Sequence, residues 1–91
     1  MFIIIARYKV NRKYHRKFVK ESRSFYQCKM EQTRNFKGLM FLRNILDPSF
    51  IDVITEWKNK DAFMEFIRKN PEQPVFTAPY EVLERYLYET M

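Results

Sequence analysis

Ninety-one residues with a mass of 11.3 kDa suffice for one small domain and not for two. At 46% hydrophobic and 18% aromatic, the chain carries too much apolar surface for a disordered tail, and no apolar run is long enough to span a bilayer. Residues 1–43 hold twelve Lys/Arg against Glu21 and Glu31, a balance of +10, whereas residues 44–91 hold five against nine acids, a balance of −4. A basic half can mark a nucleic-acid footprint, but a solvated helix face accounts for it more simply. Met1 to Ala6 is apolar yet lacks a charged n-region and a small-residue cleavage site, so a cytoplasmic domain without a membrane anchor is expected. The one cysteine, Cys28, cannot form an internal disulfide and is expected to be a buried or inert thiol. The one histidine, His15, is a poor start for a metal site, and no metal or other cofactor is expected.

Phe2 to Val10 reads as a first strand, rich in β-formers and free of breakers. Asn11 is a good N-cap for a helix from Arg12 to about Thr33, where Tyr14, Phe18, Val19, Phe25, Tyr26 and Met30 fall at helical spacing and Ser22 continues the stripe. Arg16, Lys17, Lys20 and Arg23 occupy much of the opposite face and carry most of the positive charge. Gly38 introduces a strand Leu39 to Leu46, and Phe50 to Trp57 returns antiparallel after a turn at Asp47-Pro48-Ser49. Asn59 or Asp61 can cap a second helix, Lys60 to Lys69, with Phe63, Phe66 and Ile67 on one side, and Asn70-Pro71 ends it. Pro74 to Pro79 is a loop or single helical turn, and Tyr80 to Glu89 is a last strand alternating Val82/Glu84/Tyr86/Tyr88 against Leu83/Arg85/Leu87.

The order β-α-β-β-α-β is the split βαβ of ferredoxin-like α+β folds, with one four-stranded antiparallel sheet spanning residues 1–91 as a single domain. Two helices cover one sheet face only, yet apolar residues occur on both faces of the strands. A second copy packed sheet to sheet would cover the rest, so the sequence predicts a homodimer. Because Ile51, Val53 and Thr55 share a strand face with Trp57, that indole is expected to point toward the helices.

Gly38-Leu39 opening a strand, Asp47-Pro48 at its turn, Phe50 restarting, Glu56-Trp57 ending the next strand and Asp61-Ala62-Phe63 on a helix resemble the antibiotic biosynthesis monooxygenase family. The first strand and its amphipathic helix fit the same pattern, so nearly the whole chain is covered. The resemblance implies a dimeric α+β barrel. Its haem-degrading branch places an Asn on the first strand and a ligating His on the helix after the Trp. Here Ala6 and Arg7 stand near the first position, and Lys60 to Lys69 contains no His, so iron lacks its usual proximal ligand and haem degradation is disfavoured. The cofactor-free branch oxygenates quinol-type compounds, and it implies a small aromatic molecule as substrate. In that reading Trp57, Arg7 and Tyr8 are the candidate catalytic residues, and Arg43, Phe63 and Tyr86 the candidate substrate-binding ones. Trp57 would stack, Tyr8 or Tyr86 would donate hydrogen bonds, and Arg7 or Arg43 would stabilise a phenolate. A non-catalytic dimeric barrel that binds a small molecule is the alternative. Nucleic-acid binding is not expected, because helices and dimer between them would hide both sheet faces.

Overall fold

A computed structural model describes residues 1–30, 33–71 and 76–91. The elements are β1 (Phe2–Lys9), α1 (His15–Met30), β2 (Phe36–Arg43), β3 (Phe50–Trp57), α2 (Lys60–Lys69) and β4 (Glu81–Glu89). The four strands form one sheet in the order β2-β3-β1-β4, every pairing antiparallel, with both helices on one face. This is the ferredoxin-like α+β arrangement, two layers thick and 17 Å through its thinnest dimension. No helix of the described residues is long and apolar enough to cross a membrane.

Strand alternation builds the core. On β3 the residues Ile51, Val53, Thr55 and Trp57 are buried, and on β1 their counterparts are Phe2, Ile4 and Tyr8. Two clusters fill the space beneath the helices. At one end Tyr8, Val10, Phe18, Ile51, Val53 and Ala78 pack together; at the other, Phe2, Ile4, Phe36, Trp57 and Phe66 do. Ala78 reaches the first cluster because Thr77 is fastened to α1: its amide and hydroxyl donate to the Glu21 carboxylate at 2.9 and 2.8 Å. Those bonds hold the Glu21 carboxyl below its ordinary range. Ser22 sits where α1 lies flat on the core, 1% exposed, its hydroxyl without a partner among the described residues.

Several expectations shift. Residues 12–14 form a 3-10 turn after Asn11, whose side chain accepts the Lys13 amide, and the α-helix proper starts at His15. The expected helical stretch at residues 31–32 and the loop residues 72–75 lie outside the described residues. The second strand runs over Phe36–Arg43 instead of Leu39–Leu46. Phe36 starts it early because its ring packs 4.6 Å from Trp57. Asn44 ends it early, its Oδ1 accepting the amides of Leu46 and Asp47 at 2.8 and 3.0 Å. Ile45 and Leu46 are therefore turn residues, almost fully exposed. Of the two candidate caps for α2, Asn59 is the one used, its Oδ1 accepting the Ala62 amide at 2.9 Å. Cys28, expected to be buried or inert, is exposed.

The face away from the helices is open in the lone chain. Ile3, Ile5 and Ile54 lie on central strands yet are only half-buried, and Met40, Leu42 and Tyr88 are about half exposed. Arg7 and Asp52 form a two-pronged ion pair across this face, Nε to Oδ1 at 2.9 Å and Nη2 to Oδ2 at 3.1 Å.

Candidate functional site

A cavity of about 110 Å³ lies between the sheet and the helices. Its floor is β1 (Ile4, Ala6, Tyr8) and β3 (Val53, Thr55, Trp57); its roof is Phe25 and Tyr26 from α1 and Phe63, Phe66 and Ile67 from α2. Asn70 and Pro71, just after α2, and Arg85 of β4 complete the lining. Ile67 and Arg85 are exposed and give the cavity a mouth.

Trp57 is the least exposed of the described lining residues. It is 1% exposed, its ring centre lies 4.6, 4.8 and 5.4 Å from those of Phe36, Phe66 and Phe63, and its Nε1–H donates to Thr55 Oγ1 at 3.0 Å. The Thr55 hydroxyl, itself buried, is thereby satisfied. Asn70 caps α2 by donating from both its backbone and its side-chain amide to the Phe66 carbonyl, at 2.9 and 3.1 Å. This bond pair holds Asn70 and Pro71 at the rim.

The electrostatics rest on two phenols and one guanidinium. Burial raises the Tyr26 hydroxyl to about 12 and also moves Tyr8 upward, in each case partly opposed by the charge of Arg85. Both phenols therefore stay protonated at neutral pH and act as donors. With Arg85 they make a cationic polar corner in a mainly aromatic and aliphatic cavity, whose other polar groups among the described residues are Thr55 and Asn70. Such a corner favours an anion carried on a flat apolar body: a phenolate, enolate or carboxylate on a ring. No carboxylate or imidazole is among the described lining residues.

Of the six residues proposed from sequence, the structure brings Trp57, Tyr8 and Phe63 together at the cavity. It does not bring the other three. Arg7 follows Ala6 and precedes Tyr8 on β1, so its side chain leaves the opposite face, where Asp52 engages it. Tyr86 pairs with Ile5 on that same face and lies with its ring 5.9 Å from the Arg7 guanidinium. Arg43 ends β2 near the start of α1, where its Nε donates to His15 Nδ1 at 3.1 Å. Sequence reasoning missed Arg85, Tyr26 and Asn70 as cavity residues. The available signal for Arg85 was a lone cation in the apolar series Leu83/Arg85/Leu87. Its side of the sheet follows from pairing with Ala6, in the regular part of the β1–β4 register before the bulge between Arg7 and Tyr8.

No family model and no curated protein matches the sequence. Solved structures match the fold from end to end. A putative antibiotic biosynthesis monooxygenase from Deinococcus radiodurans superposes with a TM-score of 0.68 at 12% identity, covering 100% of this chain and 93% of its own. One from Nitrosomonas europaea gives 0.67 at 11% identity, covering 100% and 99%. A conserved protein from Methanosarcina mazei Go1 gives 0.69 at 12% identity, covering 99% and 92%. This chain shares their fold. The antibiotic biosynthesis monooxygenase resemblance read from the sequence thus has structural counterparts over the whole chain.

Proposed function

We propose that the cavity beside Trp57 binds a small single-ring phenol or quinol as its anion, and that the protein is a cofactor-independent monooxygenase for that compound. The observation that carries the reading is the pairing of an aromatic cage with a cationic polar corner made by Tyr8, Tyr26 and Arg85. The volume supports one ring, since a cavity of about 150 Å³ accommodates benzene and this one opens to solvent. A quinol supplies every electron that the reaction needs. Hydroquinone and dioxygen give hydroxybenzoquinone and water: one oxygen atom replaces a ring hydrogen, the other leaves as water, and the quinol becomes a quinone. Arg85 would lower the cost of holding the substrate as its electron-rich phenolate, while Trp57, Phe63 and Phe66 keep water from the ring.

Binding without turnover is the second reading, favoured by the lack of a carboxylate or imidazole to take the phenolic proton among the described lining residues. The test pairs Trp57 fluorescence with an oxygen electrode, using hydroquinone and 4-hydroxybenzoate. Saturable quenching that weakens tenfold or more in Arg85→Gln, with oxygen uptake above the buffer rate, supports the monooxygenase. Quenching without uptake supports the binding protein, and no saturable quenching overturns both.

The same reading includes a homodimer that covers the open sheet face. Ile3, Ile5, Ile54, Met40 and Leu42 would be buried by a second copy, and a lasting interface needs more than about 1,000 Å². Light scattering at micromolar concentration should give twice the chain mass, and Ile54→Lys should give aggregated or unfolded protein. A stable wild-type monomer would sink the dimer.

A further inference from the structure

A second concavity, of about 550 Å³, lies on the outer side of α1 where the end of β2 runs beside it. Its charged lining is Arg16, Lys20, Arg23 and Arg43, and no acid lines it among the described residues. Arg16, Lys20 and Arg23 stand at helical spacing on one stripe of α1, where like charges three and four residues apart disfavour the helix. An anion seated among them would reverse that cost.

Two of the four cations are held in place before any ligand arrives. His15 is 3% exposed, and its Nε2–H donates to the Val10 carbonyl at 2.8 Å. A carbonyl can only accept, so Nε2 carries the proton and Nδ1 is left as an acceptor. Arg43 Nε donates to that Nδ1 at 3.1 Å, which leaves the outer two nitrogens of its guanidinium for another partner. Arg23 is fixed differently, its guanidinium carbon 5.5 Å from the centre of the Phe41 ring. A buried imidazole on one side and an aromatic ring on the other thus present two planar forks to one hollow.

We propose that this cleft is a binding site for linked phosphates, with inorganic pyrophosphate or the diphosphate group of a small organic ester as the ligand. Planar guanidinium forks match phosphate oxygens in pairs, which favours phosphate over a halide or a single carboxylate. Three positive charges over the eight residues from Arg16 to Arg23, roughly 10 Å of helix at 1.5 Å per residue, with Arg43 of β2 beside them, exceed what one phosphate can neutralise. Two linked phosphates match them. The volume lies in the range of small-ligand sites. No Phe, Tyr or Trp lines the hollow among the described residues, and the His15 ring is buried and bonded at both nitrogens, so recognition rests on the phosphates.

The test is calorimetric titration of the full chain with pyrophosphate, phosphate and a 20-base-pair DNA duplex at fixed low ionic strength. Pyrophosphate should bind at least tenfold more tightly than phosphate. Arg43→Gln and Arg23→Gln should each weaken it tenfold or more, whereas Arg68→Gln, which removes an equal charge from α2, should change it less than twofold. Arg43→Lys keeps the charge and loses the fork, so it should still weaken pyrophosphate several-fold. Should His15→Gln fold, judged by circular dichroism, it too should weaken binding, although all four cations remain. Equal affinity for phosphate and pyrophosphate, or equal losses in Arg43→Gln and Arg68→Gln, would reduce the site to diffuse attraction and overturn the proposal. Tighter binding of the duplex with the same arginine dependence would overturn it in favour of a nucleic-acid surface.

Discussion

Replacing Trp57 by phenylalanine tests the description of the cavity wall most directly. The indole exceeds a phenyl ring by about 40 Å³, which at about 24 cal/mol per Å³ of unfilled space costs about 1 kcal/mol. The substitution also removes the Nε1–H bond to Thr55 Oγ1, at 3.0 Å and buried at both ends, for about 1 kcal/mol more. The sum of about 2 kcal/mol lowers the midpoint of a domain this size by about 8–16 °C. Thermal unfolding followed by circular dichroism measures it, and a cycle with Thr55→Val separates the parts. In the Thr55→Val background the hydrogen bond is already gone, so Trp57→Phe should cost only about 1 kcal/mol and the coupling should be about 1 kcal/mol. A midpoint within about 2 °C of wild type would show that the indole is not packed and bonded as described. The enlarged cavity should also hold a single ring more loosely, weakening hydroquinone binding by the same substitution.

Other consequences follow from single contacts. Asn59→Ala removes the side chain that accepts the Ala62 amide and should destabilise the protein by about 1 kcal/mol in urea titration. Ser22→Ala deletes a buried hydroxyl without a partner among the described residues, so stability should be unchanged or rise by up to about 1 kcal/mol; a clear loss would reveal a bond to it. Glu21, held below its ordinary value of 4.5 by Thr77, contributes stability above that pH and loses it as pH falls through the lowered folded value. In Glu21→Gln that portion of the acid-side slope should vanish while the neutral midpoint drops. An unchanged slope would mean that the clasp to Thr77 does not persist in solution.

What could be read from the sequence was whatever strand alternation and helix spacing encode locally. β3 was legible residue for residue because it is a run of β-formers without a breaker, bounded by the Asp47-Pro48-Ser49 turn and by Lys58-Asn59, with Ile51, Val53, Thr55 and Trp57 at every second position. β2 was misplaced by three residues because Lys37 and Gly38 separate Phe36 from the apolar run, while Ile45 and Leu46 extend that run into a turn. What closes the turn is the Asn44 side chain, a contact that hydropathy does not record. At the site, Trp57, Tyr8 and Phe63 were visible as aromatics on faces that point inward. Arg7 and Tyr86 were drawn in by chemical type alone, and their parity on β1 and β4 puts them on the other face. The position of Arg85 is a property of the β1–β4 register, which arises only when two distant segments pair.

β4 is held on one side only. It is an edge strand hydrogen-bonded to β1, and eight of its nine residues are exposed. Few buried contacts mean a low free energy of local opening, so in the lone chain this strand should detach before the sheet unfolds as a whole. Arg85 travels with it. Each detachment would strip the hollow beside Trp57 of its positive charge while leaving the aromatic walls standing on β1, β3 and the helices. Affinity for an anion would then fluctuate on the timescale of edge-strand exchange, and amide protection along β4 would set how long a bound anion resides.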